Sequence, residues 1–282
     1  MIRDPPEVPR ATSGTSVGGM NGPRSTRNVQ EGNERFRPRL PNSCDLFDLP
    51  VIGDKLTGKK ENVIRFYFEN FNGIRSGPRG TDKGRYFGKL MELLEVDCFG
   101  AAETNLQWNM TRSSPRKLLD LKSGSRTSYA CNKNEQTTIK QQGGTCITIT
   151  EKFGQYAQEV GVDPTGLGRW SWIRLTGDNE IHTTVISAYS PCKPRKQSLL
   201  STYAQQMRYW QLHGSAICAK EKCRLDLLSF VRDTRAKGDR VVLMIDGNEN
   251  MRHGKLATAL RNEPFNMRDP IRTRVGATKF PT

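Results

Sequence analysis

Apolar positions are distributed unevenly along this chain. From Met1 to about residue 60 they are sparse and keep no period of two or of 3.6, while Pro, Gly, Ser, Arg and Asn dominate. A segment of that composition buries too little apolar surface to offset the entropy of ordering it. Residues 1–61 are therefore expected to form a disordered tail, and residues 62–282 a folded domain.

Beyond residue 62 the pattern sharpens. Val63-Ile64-Arg65-Phe66-Tyr67-Phe68 is β-branched and aromatic and reads as a strand running into Asn70-Phe71-Asn72-Gly73. Phe87, Leu90, Met91 and Leu94 recur at helical spacing, which predicts a helix from Gly84. Val96 to Ala102 reads as a buried strand ending at Glu103-Thr104-Asn105. Residues 107–140 read as loop and helix. Gly143 to Thr150 alternates as a half-buried strand, and the loop Gly166-Leu167-Gly168-Arg169 opens another from Trp170 to Leu175. Ile181 to Ala188 is a strand ending at Tyr189-Ser190-Pro191. Helical spacing follows over Gln197 to Leu212 and Glu221 to Thr234. Val241 to Ile245 is a short buried strand that ends in Asp246-Gly247-Asn248, and a short helix is expected near Gly254 to Arg261. This order of elements predicts an α/β fold with mixed sheets.

Composition narrows the classes. Apolar content is 35%, and no run of about 18 apolar residues occurs, so no membrane span is expected. The N-terminus lacks the apolar core of a secretory signal. The seven cysteines form no Cys-x-x-Cys pair and read as reduced thiols. An intracellular protein of nucleus or cytoplasm, not secreted, is the expectation. His213, Cys218 and Cys223 are evenly spaced, but they match no common zinc site.

Charge adds a partner class. Residues 1–62 hold ten Lys or Arg against eight Asp or Glu, so residues 63–282 carry +13 of the total +15. A basic domain, rather than a basic tail, suggests a polyanionic partner such as nucleic acid.

Candidate chemistry sits at strand ends. The ends at Asn70 and Asn72, at Glu103, at Tyr189, and at Asp246 and Asn248 supply two carboxylates, one phenol and three carboxamides. Rigid strands hold such groups still while loops leave room for substrate. A carboxylate beside a carboxamide can orient one water for hydrolysis. Taken singly, each group also reads as a turn or cap residue. Trp108, Trp170, Trp172 and Trp210 read chiefly as core. Arg112, Arg116 and Lys117 are candidate phosphate contacts, or a solvated basic face.

These residues resemble the endonuclease/exonuclease/phosphatase superfamily, and within it the endonuclease domains of non-LTR retrotransposons. Asn70-Phe71-Asn72-Gly73, Ala102-Glu103-Thr104, Gly143-Gly144, Ser187-Ala188-Tyr189-Ser190-Pro191 and Ile245-Asp246-Gly247-Asn248 stand in the order of that family's motifs. The resemblance implies a two-sheet α/β sandwich with helices outside. It implies a Mg-dependent phosphodiester hydrolase, with Mn possible, acting on DNA. Glu103 and Asn72 would hold the metal. Asn70 and Asn248 would position phosphate and water, Asp246 would orient or deprotonate that water, and Tyr189 would donate to the phosphate or leaving oxygen.

The chain also departs from the pattern. Ile245 stands where glycine is usual, and no Ser-Asp-His motif occurs. None of His182, His213 and His253 lies in such a motif, and Phe280-Pro281-Thr282 resembles the segment before the family's last strands. A C-terminally incomplete domain with little activity is the expectation. Two alternatives stay open: a phosphatase of the same fold acting on small or lipid phosphates, and a non-catalytic basic nucleic-acid-binding remnant.

Overall fold

The computed structural model describes residues 58–74, 81–111, 114–135, 138–194 and 198–275. The expected tail up to residue 57, Arg112, and Phe280-Pro281-Thr282 lie outside the described residues.

Among the described residues, eight strands make two four-stranded sheets. In the first, β1 (Phe66–Asn70) pairs in parallel with β2 (Cys98–Ala102). A parallel pair needs a crossover, and α1 (Thr81–Leu93) supplies it. β4 (Thr145–Ile149) runs antiparallel to β2, and β3 (Arg126–Ala130) antiparallel to β4, giving the order β1-β2-β4-β3. Short helices α2 (Pro115–Leu118) and α3 (Glu151–Gly154) lie in the connections.

The second sheet repeats this plan. β5 (Ala157–Val162), β6 (Trp170–Thr176) and β7 (His182–Tyr189) form an antiparallel run, and β8 (Arg240–Asp246) joins β7 in parallel. The crossover between β7 and β8 holds α4 (Thr202–Leu212) and α5 (Ala219–Ala236). Two short helices follow, α6 (Lys255–Arg261) and α7 (Pro270–Val275). The fold is the expected two-sheet α/β sandwich.

Three apolar layers hold it. Between the sheets lie Cys98, Ile147, Ile149, Ile173, Leu175, Val185 and Met244. Outside the first sheet, Phe87, Leu90 and Met91 of α1 pack on Phe71, Phe99, Leu118 and Leu119. The Phe71 and Phe87 ring centroids are 4.0 Å apart. Gly84 in α1 is explained here, since a Cβ would lie 1.5 Å from the Leu118 carbonyl oxygen. Outside the second sheet, Leu227 and Val231 of α5 pack on Trp170, Ile186 and Ala188. Trp108, Trp170 and Trp210 are buried and Trp172 packs against Phe230, so the tryptophans are core residues. No helix among the described residues is long and apolar enough to cross a membrane.

Several boundaries differ from the sequence expectation. β1 starts at Phe66, not Val63, because Asp97 occupies the Arg65 backbone first. The Arg65 amide donates to the Asp97 carboxylate, and the Arg65 carbonyl accepts from the Asp97 amide, both outside the Phe66–Cys98 ladder. Val63 and Ile64 stay exposed. α4 begins at Thr202 rather than near Gln197, because Ser201 caps it, its hydroxyl accepting from the Ala204 amide at 3.2 Å. The stretch read as loop and helix also contains β3, and β5 is a further strand beyond the sequence expectation; both are edge strands carrying exposed polar residues.

Candidate active site

Alternation along the strands dictates which side chains meet. Phe68, Val185, Met244 and Ile147 point between the sheets. Two residues further along the same face lie Asn70 on β1, Ser187 on β7, Asp246 on β8 and Thr145 on β4, and Tyr189 follows Ser187. Register aligns them, with Asn70 opposite Ala102 and Tyr189 opposite Asp246. The apolar interior thus gives way to small polar residues and then to ionisable groups.

The groups touch. Asn70 Nδ2 donates to Asp246 Oδ2 at 2.7 Å, joining residues 176 apart in sequence and in different sheets. The Asn72 amide donates to Asn70 Oδ1 at 2.9 Å, which fixes the orientation of the carboxamide. The Asn248 amide donates to Asp246 Oδ1 at 3.2 Å. Each Asp246 oxygen therefore takes one N–H and keeps further acceptor capacity. Glu103 follows Ala102, the register partner of Asn70, and its carboxylate lies near the Tyr189 phenol. Burial pushes the Tyr189 phenol well above its ordinary range, and the nearby charge of Glu103 pushes it further. The phenol is therefore a protonated donor throughout the working pH range.

The strand ends are held in unusual backbone conformations. Asn72, Glu103, Asn105 and Asn248 have φ of 46°, 50°, 51° and 48°. Asparagine tolerates this region; glutamate does so rarely. Gly143 and Gly144, with φ of 82° and 84°, form the facing loop. There the Gly143 amide donates to Asn105 Oδ1 at 2.7 Å, and the Asn105 amide donates to the Gly143 carbonyl at 2.8 Å. The Gly73 amide donates to the Glu103 carbonyl at 2.7 Å, tying the Asn72 and Glu103 loops together. Strain gathered at these strand ends marks a site whose side-chain positions are imposed by surrounding structure.

The structure thus brings Asn70, Glu103, Tyr189 and Asp246 to one end of the sandwich. The Asn248 side chain is engaged elsewhere, donating to the Ser190 carbonyl at 2.9 Å. The Asn72 side chain is exposed. Arg116 lies on α2, with Nε donating to the Leu121 carbonyl at 3.3 Å, and Lys117 is exposed. Sequence reasoning missed Asn105, Lys83 and Lys220. Lys83 donates to the Phe71 and Gly73 carbonyls, and Lys220 to the Asn248 carbonyl, so each lysine braces a site loop. Asn105 had a signal, its place two residues after Glu103; the lysines had none, since each arrives from a separate helix.

No group of three or more His, Cys, Asp or Glu side chains poised to share a metal occurs among the described residues. The donors at hand are the carboxylates of Glu103 and Asp246 and the amide oxygens of Asn70 and Asn72. A hard ion that retains several waters and takes one or two carboxylates fits this donor set. Among the described residues, no histidine is hydrogen-bonded to these groups. His182 starts β7, at the opposite end from Tyr189, and His213 stacks on Tyr209 at the end of α4.

No protein-family model matches the chain, and no curated protein matches it. Solved structures similar in fold include the catalytic domain of human Nocturnin with bound sulfate, at 8% identity and a TM-score of 0.42, covering 65% of this chain and 62% of that one. An AP endonuclease from Archaeoglobus fulgidus is similar at 15% identity and a TM-score of 0.41, covering 71% and 64%. TDP2 from Caenorhabditis elegans is similar at 14% identity and a TM-score of 0.37, covering 63% and 45%. The match spans less than two thirds of the length of each of these structures.

Proposed function

We propose that this chain is a phosphodiester hydrolase acting on nucleic acid with Mg²⁺, or Mn²⁺, as cofactor. The observation that carries this reading is the meeting of Asn70, Glu103, Tyr189 and Asp246 from four strand ends in two sheets. Asp246 accepts the proton of a water as that water attacks phosphorus in line and the opposite P–O bond breaks. Asn70 holds the carboxylate in place. Tyr189, kept protonated by burial, donates to a phosphate oxygen. Glu103 and Asn72 would hold the metal, which when bound would neutralise charge building on the phosphate. The Asn248 amide orients Asp246, while its side chain fixes the loop to Ser190.

The +13 carried by residues 63–282 supports a polyanionic substrate, and we favour duplex DNA nicked in the manner of retroelement endonucleases.

The test is plasmid nicking. Relaxed circles should accumulate with Mg²⁺ and not in EDTA, and Asp246→Ala should abolish the product. Duplex binding without any cutting would replace the enzyme reading with a basic binding module. Release of phosphate from inositol polyphosphates in preference to nicking would make the chain a phosphatase.

A further inference from the structure

The chain that follows the candidate site builds a second charged feature. After Asn248 it turns through residues 249–254, forms α6, and returns through residues 262–269 into α7. Arg261, Met267, Arg268, Asp269 and Arg272 are among the residues lining an open cavity of about 480 Å³ here. Residues 251–275 hold six Lys or Arg against two Asp or Glu.

The acid in this cleft is already engaged, since Asp269 Oδ1 accepts from the Arg272 backbone amide at 3.0 Å. Arg261 is a strut. It donates to the Met251 carbonyl at 3.0 Å and the Arg252 carbonyl at 2.8 Å, fixing the cleft to the turn that follows the site loop. The returning segment is anchored as well. Phe265 is buried against the second sheet, Arg235 donates to the Pro264 and Phe265 carbonyls, and the Met267 amide donates to the Leu260 carbonyl at 2.8 Å. The Arg268 and Arg272 side chains form no ion pair or hydrogen bond among the described residues. Arg268 is exposed and Arg272 half-buried. Two guanidiniums without acidic partners, on an anchored wall, match the planar fork by which arginine grips phosphate oxygens.

We propose that this cleft binds the phosphate backbone of the nucleic-acid substrate away from the reacting phosphate, through Arg268 and Arg272. The proposal rests on the reading of the chain as a nucleic-acid hydrolase. An open cleft of this size is roomier than one phosphate ion requires, and it suits a continuous polyanion.

The experiment measures binding of a short labelled DNA duplex to the full chain in EDTA, by anisotropy, across a range of KCl. Arg268→Glu with Arg272→Glu should weaken binding by about tenfold or more near 0.1 M salt. It should flatten the slope of log affinity against log salt by about 1.8, since each phosphate left without its arginine removes about 0.9. Arg268→Gln with Arg272→Gln should flatten the slope with a smaller loss of affinity. Lys237→Glu with Arg240→Glu, before and at the start of β8, changes net charge equally and should keep the wild-type slope. Thermal melts establish that each variant is folded. An unchanged slope in the Gln pair, or equal flattening in the control pair, overturns the proposal. Inorganic phosphate competing better than chloride at matched ionic strength would also overturn it, in favour of a free-anion site. Because binding is read in EDTA, it stands whether or not the chain cuts anything; Mg²⁺-dependent hydrolysis of bis(p-nitrophenyl) phosphate by the wild type tests the enzyme reading separately.

Discussion

The two ends of the inter-sheet face follow one alternation and carry opposite chemistry. At one end Cys98, Ile149, Leu175 and Val185 form a dry, tightly buried layer. At the other, Asn70, Tyr189 and Asp246 occupy the same side of their strands, and polar groups there replace the apolar layer. The contrast shows how the sandwich tolerates its site. A residue such as glutamate in the left-handed region costs of order 1–3 kcal/mol, and asparagine less. Asn72, Glu103, Asn105 and Asn248 all sit there. Packing at the apolar end keeps the strands in register, and the strained ends are held in position as a consequence.

Substitutions at the two ends should separate activity from stability. The largest effect is expected for Asp246→Ala. Nicking should fall by about 10³-fold or more, as loss of a general base does at the upper end of its range. The melting temperature should move only slightly, because the Asp246 carboxylate is partly exposed. A large fall in melting temperature would break the comparison, since the polar end would then also be holding the fold together.

Ile147→Ala is the converse. Ile147 is 0% exposed in the inter-sheet cluster. Its truncation should cost about 2–5 kcal/mol in urea unfolding, with nicking per folded molecule unchanged. Tyr189→Phe is smaller. A hydrogen bond to a charged group contributes about 1.5–3 kcal/mol, so nicking should slow by about tenfold to a hundredfold. Equal rates for Phe and Tyr would remove the phenol from the mechanism.

Much of this division can be read from the sequence, because strand period and side-chain chemistry are both local. The apolar run Val241 to Ile245 ending in Asp246 identifies β8 and its polar terminus. Val96 to Ala102 likewise places Glu103 at the end of β2. Other features depend on partners distant in sequence. β3, Arg126–Ala130, and β5, Ala157–Val162, are edge strands with one solvated side, so their apolar signal is weak. The left-handed backbone of Glu103 has no sequence signature, since glutamate rarely adopts it. The bracing by Lys83 and Lys220 follows from where α1 and α5 dock, which the helical period does not encode. The side-chain bond from Asn248 to Ser190 likewise depends on the adjacency of β7 and β8.

The smallest effect locates the boundary between the two ends. Ser171 and Ser187 are register partners on β6 and β7, and both are 0% exposed. Ser187 Oγ donates across the sandwich to the Ala101 carbonyl at 3.1 Å. Ser171 Oγ has no hydrogen-bond partner among the described residues. A buried hydroxyl without a partner is a desolvation penalty, whereas a bonded one contributes about 0.5–1.5 kcal/mol. Ser187→Ala should therefore destabilise by about 1 kcal/mol. Ser171→Ala should be neutral or stabilising by up to about 1 kcal/mol. Urea unfolding at constant m-value reads both. Opposite signs would place the serine layer within the dry part of the sandwich, below the site. Equal penalties would mean that water reaches Ser171 and satisfies it, so that the wet end begins one layer deeper than Tyr189 and Asp246.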